Sequence, residues 1–462
     1  MRMLRFGEPQ NSIDKSFEEV MLGGQAMFNK KPYIYGKYGK IFKKQEQVSI
    51  PRDQILLFTE NDEYENPVYL KTGDPDKGEF KSFAALVVAP KGSGKSGWVK
   101  AWMDQLWMKG VKFFCIEPKG YDFVTMNIPQ DDTHGVDCLA KFGMKPRSYA
   151  ISQAIPAFIA DEYTKANQYK LDVDDFTSLP KTVQLSTWCK FLNIKEMSGP
   201  GKALMRVLKM GKNDRGPRNI REMVEFTRLD IEKERTKRKE IKGSSQMIST
   251  GLLYLLEQKL NTDELGPRMP FNYVEQLAEN DIVIMHTPFD SKNLISMNVY
   301  ISVAINSILN DRNIYVKTNG KKGLMSRPVC FVIEEADSLI GREDTNLAKH
   351  VLYQILARFR HIGCSGIFIT QNANLIDPKF VRQCNYIAST QVNSEEQRQL
   401  LRMRGVPKWL VENRLTKLDW TTSKPVKEWF FLEPDNPGEV KTGYPIWPAT
   451  KLLKEGEGLD YA

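Results

Sequence analysis

Residues 83–98 read F-A-A-L-V-V-A-P-K-G-S-G-K-S-G-W and decide the fold. The apolar run from Phe83 to Ala89 has the length of a buried β-strand and is too short to span a membrane. The run stops at Pro90, glycines follow at positions 92 and 94, and the chain then regains the apolar periodicity of a helix. The order strand, glycine-rich loop, helix predicts an α/β protein in which this loop lies at the carboxyl end of a strand.

The loop has the spacing of a nucleotide-binding P-loop, with alanine where the pattern has its first glycine. Glycines let successive backbone N–H groups turn toward an anion, and the following helix adds the positive end of its dipole. Lys95 supplies a point charge for the β- and γ-phosphates, and the Ser96 hydroxyl can ligate Mg²⁺. An ATP and Mg²⁺ site is therefore predicted, with a plain Gly/Ser turn as the alternative. Its nucleotide-binding residues are Ala89, Pro90, Lys91, Gly92, Ser93, Gly94, Lys95 and Ser96.

The composition is that of an ordinary soluble globular protein. The chain has 462 residues, of which 41% are hydrophobic and 27% charged, and it is long enough for two or three lobes. The net charge of +9 favours a polyanionic partner, although a basic surface without such a partner explains it equally well. No run approaches the ~20 apolar residues of a membrane helix, and the amino terminus lacks the apolar core of a signal peptide. We therefore expect no membrane insertion and a cytoplasmic location.

Cysteine and histidine usage argues against disulfides and zinc. The six cysteines include no C-x-x-C pair, and Cys115, Cys330 and Cys364 lie in or beside apolar, strand-like runs. Buried thiols without disulfides are expected. The four histidines form no H-E-x-x-H pattern and no Cys/His cluster, so a structural zinc site is not expected.

Changes in pattern along the chain predict five segments. Residues 1–80 mix short aromatic and β-branched pieces, which predict a small N-terminal β-rich arm. Strand–helix alternation covers residues 81–130, gives way to helical periodicity over 131–278 and resumes over 279–435. The middle region is therefore predicted to be a helical insertion between two parts of one core. Residues 436–462 are predicted to be a C-terminal strap.

Three helical stretches outside the P-loop carry further expectations. A helix over about residues 293–310 is predicted to end in the polar loop K-T-N-G-K-K-G. A helix over residues 346–359 is predicted to precede a turn that contains Arg360. The mixed-charge helix at residues 228–243 is biased to the basic side, and a solvated face with i,i+4 ion pairs and a nucleic-acid contact both fit it.

Polar residues follow three further predicted strands. One strand ends in the turn E-P-K-G, which begins at Glu117 and includes Lys119, and the carboxyl edge of a parallel sheet places this turn beside the P-loop. The run V-C-F-V-I ends in Glu334 and Glu335. The first of these acids can reach the Mg²⁺ shell, and the second can polarise a water for attack on the γ-phosphate. A later strand ends on Gln371, which is placed to sense the γ-phosphate or the attacking water.

In this order, the motifs resemble the FtsK/HerA superfamily of P-loop DNA-pumping ATPases, which includes conjugative coupling proteins and viral genome-packaging ATPases. Four motifs carry the resemblance: A-P-K-G-S-G-K-S, E-P-K-G, V-C-F-V-I-E-E-A-D, and R-F-R-H-I-G followed by F-I-T-Q. The resemblance covers about residues 80–435. It implies a RecA-like P-loop NTPase core with a mostly parallel sheet, to which the helical insertion and the N-terminal β-rich arm are added.

The resemblance also implies roles for individual residues. It assigns phosphate binding to Lys95 and Mg²⁺ binding to Ser96 and Glu334. Glu117 and Lys119, whose turn is expected beside the P-loop, complete the predicted nucleotide-binding residues. Glu335 becomes the catalytic base and Gln371 the polar sensor. Arg360, with Arg358 as the alternate, becomes an arginine finger given to the neighbouring subunit, which implies a homo-oligomeric ring, expected to be a hexamer.

Two departures and several alternatives accompany the resemblance. Glu334 and Glu117 stand where relatives usually have aspartate, so each carboxylate is one methylene longer and slow hydrolysis is the expected cost of a poor fit. The expected function is translocation of double-stranded DNA, preferably to package a viral genome into a capsid through a portal component, in host cytoplasm or virion. A conjugative coupling-type or HerA-like ATPase and an ATP-binding assembly switch are the alternatives. A small-molecule kinase fits less well because of the large size and the trans arginine.

Overall fold

A mostly parallel β-sheet organises the part of the chain that the computed structural model describes. That part comprises residues 50–60, 66–74, 80–119, 122–162, 166–177, 179, 181–211, 215–240, 248–267, 271–288, 294–326, 328–342, 347–372, 374–392, 394–418, 427–433 and 440–452. Its strands are β1 (Gln54–Thr59), β2 (Pro67–Lys71), β3 (Ala84–Val88), β4 (Lys112–Glu117), β5 (Ile151–Pro156), β6 (Asn167–Tyr169), β7 (Ile282–His286), β8 (Val329–Ile333), β9 (Cys364–Thr370), β10 (Tyr386–Ser389), β11 (Trp429–Leu432) and β12 (Val440–Gly443). Its α-helices are α1 (Lys95–Trp107), α2 (Thr133–Lys141), α3 (Val173–Thr177), α4 (Lys181–Phe191), α5 (Gly199–Val207), α6 (Ile220–Glu240), α7 (Ile248–Asn261), α8 (Tyr273–Glu279), α9 (Leu294–Ser326), α10 (Asp337–Ile340), α11 (Leu347–Ile362), α12 (Pro378–Gln383), α13 (Glu395–Met403) and α14 (Lys408–Asn413).

The main sheet has ten strands in the order β12-β11-β10-β3-β9-β8-β4-β7-β5-β6. From β10 to β6 every neighbouring pair is parallel, and β11 and β12 add an antiparallel hairpin at the β10 edge. Parallel strands that follow one another in the chain need a crossover connection. Helices α1, α9 and α11 lie in three such connections, from β3 to β4, from β7 to β8 and from β8 to β9. The predicted α/β class with a mostly parallel sheet is confirmed.

The central strands are buried on both faces, which explains their uninterrupted apolar sequences. β3 reads A-A-L-V-V and β8 reads V-C-F-V-I, and every residue of both strands is buried. β9 lies between them and is buried along its whole length. The register pairs Val88 with Thr370 and Ile333 with Phe368, so the three strands end at one edge of the sheet. The residues that follow their carboxyl ends are thereby brought together.

Aromatic contacts attach α1 to the sheet. The Trp98 ring stacks on Trp429 of β11 with centroids 5.0 Å apart, and the Trp102 ring stacks on Phe83 with centroids 5.3 Å apart. Trp98 and Trp102 are both almost fully buried. Aromatic pairs contribute about 0.5–1.5 kcal/mol each beyond the area that they bury. These contacts fix the helix that begins at the glycine-rich loop.

The sheet takes two strands from the region where the sequence predicted helices alone. β5 pairs in parallel with β7, and β6 pairs with β5, so the prediction that strands are absent from residues 131–278 is wrong. Ser152 and Gln153 interrupt the apolar pattern of β5, which reads I-S-Q-A-I-P. Ser152 is nonetheless buried, and its hydroxyl donates to Gln276 Oε1 at 2.6 Å. The boundaries of a helical insertion stay a prediction.

The helix before β8 is longer than predicted. α9 covers Leu294–Ser326 and includes the stretch K-T-N-G-K-K-G, for which a loop was expected. No proline occurs in this stretch before Pro328. A glycine in a helix interior costs about 0.5–1 kcal/mol relative to alanine, which is too little to end a helix that is anchored elsewhere.

Helix α6 contains most of the predicted mixed-charge stretch. Arg221 and Glu225, which precede that stretch in the same helix, form an i,i+4 ion pair at 3.3 Å. Asp230, further along α6, accepts two hydrogen bonds from the Arg206 guanidinium of α5, at 3.0 and 2.7 Å. The charges of α6 thus stabilise the helical region, and a nucleic-acid contact by this helix stays a prediction.

The first and last described residues of the chain fall within the predicted arm and the predicted strap. Residues 1–49 lie outside the described residues, so the predicted arm at residues 1–80 is seen only from residue 50. There, β1 and β2 form a separate antiparallel sheet. β12 falls inside the predicted strap at residues 436–462, yet it pairs with β11 as the outer strand of the main sheet. The chain after β12 then makes an isolated bridge between Thr450 and Pro129.

All six cysteines lie in the described chain, and all are buried without a disulfide, as predicted. Cys115 of β4 and Cys330 of β8 occupy neighbouring strands, two register positions apart. Among the described helices, none is long and apolar enough to cross a membrane.

Candidate nucleotide-binding site

The loop between β3 and α1 adopts a conformation that favours glycine. Gly92 and Gly94 have φ values of 75° and 81°, in the left-handed region. A Cβ at either position would meet no atom within 4 Å, so backbone conformation and not crowding requires glycine here. α1 begins at Lys95, directly after the second glycine. The first N–H groups of a helix lack intrahelical acceptors, which suits this loop to an anion.

The Lys95 side chain folds back onto its own loop. Its Nζ donates a hydrogen bond to the Pro90 carbonyl oxygen at 2.8 Å. Burial, followed by repulsion from Lys119, lowers the pKa of Lys95 to about 8. Burial thus destabilises the charged form of this ammonium group. A bound anion, such as a phosphate oxygen, would stabilise that charged form. Of the other predicted loop residues, Ser93 is buried and Lys91 is exposed.

Ser96 contacts an acid that the sequence analysis missed. Its hydroxyl donates a hydrogen bond to Asp122 Oδ2 at 3.0 Å. Asp122 lies in the loop after β4, behind the turn that begins at Glu117. In the sequence, Asp122 stands out only as the first acid after E-P-K-G. Nothing in the local spacing shows that this loop reaches the P-loop serine.

The two acids after β8 have opposite environments. The side chain of Glu334 is 1% exposed, whereas that of Glu335 is 35% exposed. Burial, reinforced by the neighbouring carboxyl of Asp122, raises the pKa of Glu334 well above its usual range. Glu335 has a φ of 48°, a left-handed conformation that costs a non-glycine residue about 1–2 kcal/mol. Such strain is common at functional sites, and here it accompanies two consecutive carboxylates of very different exposure.

Lys119 lies among the acids of the site. Its Nζ is 3.1 Å from Glu334 Oε1, 3.7 Å from Glu335 Oε1 and 3.8 Å from Asp122 Oδ2. Burial alone lowers the pKa of Lys119, but the charges of Glu334 and Asp122 outweigh it, and the pKa is raised. Lys119, which is predicted to lie beside the nucleotide, is therefore a cation that holds the acids of two strand ends together.

Unsatisfied polar atoms collect at this edge. Within the described residues, the buried atoms Glu117 Oε2 and Ser93 Oγ have no hydrogen-bond partner, and the buried Glu334 carboxyl shares a hydrogen bond with the carboxyl of Asp122. Leaving a buried polar group unpaired costs about 1–3 kcal/mol, and more for a charged one. Mg²⁺ is usually held by one or two carboxylates together with phosphate oxygens and water. Ser96 and Glu334 fit that requirement, although no cluster of three or more His, Cys, Asp or Glu side chains suited to a metal occurs in the described chain.

Glu117 holds the loop that carries the neighbouring charges. Its Oε1 accepts a hydrogen bond from the Phe123 backbone N–H at 3.0 Å. The residue is fully buried, and burial raises the pKa of its carboxyl to about 7. A direct contact between Glu117 and a nucleotide stays a prediction.

Gln371 follows β9 at the same edge of the sheet. β9 ends at Thr370, whose carbonyl accepts a hydrogen bond from Ala89 N at 3.2 Å and so joins the end of β9 to the P-loop. The Thr370 hydroxyl also donates to Asp337 Oδ1 at 2.7 Å. Gln371 itself is exposed. Its role as a sensor stays a prediction.

The two candidate arginine fingers lie on a helix. Arg358 and Arg360 belong to α11, which continues to Ile362, so the prediction of a turn at Arg360 is wrong. Gly363, with a φ of 63°, follows the helix instead, since glycine takes the left-handed conformation that ends many helices. The side chains of both arginines lie outside the described residues.

Solved structures resemble this chain, whereas no family model and no curated protein sequence matches it. VirB4 of Thermoanaerobacter pseudethanolicus matches with a TM-score of 0.48 and 13% identity, over 87% of this chain and 98% of that chain. The genome packaging NTPase B204 from Sulfolobus turreted icosahedral virus 2, in complex with ATP-gammaS, matches with a TM-score of 0.34 and 10% identity, over 79% and 98%. The bacterial conjugative coupling protein TrwB matches with a TM-score of 0.40 and 13% identity, over 79% of each chain.

The described chain has an α/β fold with a mostly parallel sheet, in which the glycine-rich loop joins β3 to α1. Two of these solved structures are, by name, a genome packaging NTPase and a conjugative coupling protein, which are protein classes that the sequence motifs resemble. At these identities and TM-scores they establish nothing about the activity of this chain. The function is inferred instead from Lys95, Ser96, Asp122, Glu334 and Glu335.

Proposed function

We propose that this chain is an Mg²⁺-dependent ATPase that moves double-stranded DNA as a ring of identical subunits. One observation carries the ATPase part. Lys95 and Ser96 begin α1 at the sheet edge where Asp122, which accepts from Ser96, lies beside the buried carboxyl of Glu334. A site of this kind is costly without a ligand and is stabilised by a cation with its phosphates.

The residues divide the work of phosphoryl transfer. Lys95 exchanges the Pro90 carbonyl for the β- and γ-phosphates. Ser96 and Glu334 hold Mg²⁺, which, when bound, neutralises charge on those phosphates. Glu335 is the more exposed acid and orients or deprotonates the attacking water.

The DNA and ring parts of the proposal rest on the motifs. A-P-K-G-S-G-K-S, E-P-K-G, the E-E pair and R-F-R-H-I-G resemble those of DNA-pumping ATPases, and a net charge of +9 agrees with a polyanionic partner. Viral genome packaging, with a capsid or portal component as a further partner, is the preferred role. A conjugative coupling-type or HerA-like role, or an assembly switch that binds ATP without moving DNA, is the alternative.

ATP hydrolysis with and without double-stranded DNA tests the proposal. DNA should raise the wild-type rate, and Glu335→Gln should bind ATP while hydrolysing it at least ~10²-fold more slowly. Glu412→Gln, an acid-to-amide change in α14 whose side chain pairs with Lys408 at 3.6 Å, is the control and should keep the wild-type rate. If the wild-type rate of ATP hydrolysis does not change when DNA is added, the chain is an ATPase but not a DNA translocase. If Glu334→Gln is instead the variant that binds ATP without turnover, the roles of the two acids are exchanged.

Mixed subunits test the proposed ring. Arg360→Ala should fold and bind ATP but fail to hydrolyse it, because a trans arginine is worth ~10³–10⁵ in rate. Mixing it with Lys95→Ala subunits should restore activity where an intact Arg360 meets an intact Lys95. The alternative is that Arg360 only stabilises the carboxyl-terminal end of α11, by ~0.3–1 kcal/mol. No recovery at any mixing ratio, despite proven subunit exchange, would favour that alternative.

Salt dependence tests the DNA contact. A pump must grip every register of the duplex through phosphates, so binding should be independent of sequence. Affinity should fall by orders of magnitude between ~50 and ~200 mM salt if several phosphates are contacted. If the affinity for DNA does not change with salt concentration, the partner is not a nucleic acid bound through its phosphates.

A further inference from the structure

We propose that Asp122 is a positioning residue of this site, which holds the Ser96 hydroxyl and completes the surroundings of Mg²⁺. The inference rests on the proposed function and adds to it a residue that no sequence motif singled out. Its starting point is one contact. The Ser96 hydroxyl donates to Asp122 Oδ2 at 3.0 Å, while the first acid after β8, Glu334, has its Oε1 held by Lys119 at 3.1 Å.

The length of Glu334 explains why a second acid is needed. A glutamate at this strand end carries its carboxylate one methylene further than an aspartate does, and Lys119 already binds one of its oxygens. The other oxygen, Oε2, is buried, and the Glu334 carboxyl has Asp122 as a hydrogen-bonding neighbour. Asp122 is the carboxylate that actually contacts the P-loop serine. The two acids therefore divide the task, with Asp122 orienting Ser96 and Glu334 offering an oxygen to the cation.

Asp122 is itself held from several directions, as a positioning residue must be. Its backbone carbonyl accepts a hydrogen bond from the Thr125 hydroxyl at 3.1 Å. That hydroxyl in turn accepts one from Nζ of Lys100, a buried lysine on the second turn of α1. Glu117 accepts from the N–H of Phe123, the next residue. The loop after β4 is thus fastened to α1 and to the end of β4 at Asp122 and the residues that follow it.

The Mg²⁺ dependence of nucleotide binding tests the inference without relying on turnover. The probe is a fluorescent ATP analogue, titrated first in EDTA and then with rising Mg²⁺. Asp122→Asn should bind the analogue in EDTA as tightly as the wild type does. Its half-saturating Mg²⁺ concentration should rise about 10-fold or more, because loss of a residue that orients a metal ligand typically costs 10–100-fold in metal affinity.

A matched control separates this role from loop anchoring. Asp132 also organises backbone after β4, since its carboxylate accepts from the N–H groups of His134 and Gly135 at the start of α2. Asp132→Asn should leave the half-saturating Mg²⁺ concentration unchanged. If Asp122→Asn behaves like Asp132→Asn, Asp122 only fastens its loop and the inference is overturned. If the wild type fails to bind the analogue at all, the proposed function fails instead.

A double-mutant cycle gives a second, independent readout. Ser96→Ala removes the group that Asp122 is inferred to hold, so adding Asp122→Asn to it should change the half-saturating Mg²⁺ concentration by less than about 2-fold. Fully additive losses would show that the two residues act separately. Should Asp122→Asn lose its cooperative melting transition, Asp122→Glu replaces it in the titration. That variant keeps the charge but displaces it, and a wild-type Mg²⁺ dependence would again overturn the inference.

Discussion

The two ends of α1 bury polar groups in opposite ways. At its amino-terminal end, the half-buried Ser96 and the buried Lys95 lie at the sheet edge where the carboxyl groups of Asp122 and Glu334 are close together. Towards its carboxyl-terminal end, Asp104 and Gln105 are almost fully buried. The helix therefore provides an internal comparison between a charged edge beside the glycine-rich loop and a buried end that makes its hydrogen bonds within the protein.

The contacts at the carboxyl-terminal end account for every polar atom of the two side chains. Asp104 accepts from the Tyr149 hydroxyl and from the Ala449 N–H, each at 2.6 Å. Gln105 accepts from Leu56 N at 2.5 Å and donates to Leu56 O at 2.9 Å. Buried polar groups in native proteins are nearly always paired in this way. The carboxyl-terminal end of α1 is thus held by hydrogen bonds made within the protein.

The largest expected effect is that of Lys95→Ala on activity. Removing a charge that stabilises the transferred phosphate should lower ATP turnover by at least ~10²–10³-fold. Stability should not fall, because the lost ammonium is buried and its pKa is lowered to about 8. Turnover assays and urea unfolding measure the two quantities. A stability loss comparable to that of an Asp104 variant would remove the distinction between the two ends of the helix.

Asp104→Ala should have the opposite profile. It leaves the Tyr149 hydroxyl and the Ala449 N–H buried without an acceptor, which should cost about 3 kcal/mol of unfolding free energy at neutral pH. Turnover per folded molecule should stay within about 3-fold of the wild type. Urea unfolding followed by fluorescence gives the first value, and active-site titration corrects the second. A stable variant with lost turnover would mean that this end of α1 also serves the reaction.

The pH dependence of stability should carry the sign of a raised carboxyl pKa. Burial raises the pKa of Asp104 from an ordinary 3.8 to about 6, against the lowering effect of the Tyr149 and Ala449 hydrogen bonds. The folded state then holds the proton more tightly than the unfolded state, so this group's contribution to stability is greatest below about pH 4 and declines as pH rises through about 6. The free energy of unfolding of the wild type minus that of Asp104→Asn should therefore fall by on the order of 2 kcal/mol between about pH 4 and pH 7. A rise of this quantity with pH would contradict the prediction.

Gly97→Ala should have the smallest effect. A Cβ at Gly97 would lie 3.2 Å from Leu452 Cδ2, the end of a side chain that can rotate away. Alanine is favoured over glycine in a helix by up to about 1 kcal/mol, so stability should change by less than that amount. Thermal melting and turnover, both close to wild type, are the expected outcome. A large loss of turnover would show that the chain after β12 controls the amino-terminal end of α1.

The P-loop and the acid pair could be predicted from the sequence because their chemistry is local. Gly92, Gly94, Lys95 and Ser96 lie within a few residues of one another, and the apolar run before them has the length of a strand. The pair that begins at Glu334 ends a similar run. Strand ends in a parallel sheet converge at one edge whatever the rest of the chain does, so these motifs could be placed together without a structure.

The tertiary structure alone decided which groups become partners. Asp122 reaches Ser96 through the path of a loop, and Asp104 meets the Ala449 N–H across 345 positions of sequence. The strand identity of β5, the length of α9 and the place of Arg360 inside α11 were likewise beyond local patterns. Periodicity reports how a segment relates to its own neighbours in the chain. Burial and hydrogen-bond satisfaction depend on distant segments, and they set which acid holds the serine and which only holds the fold.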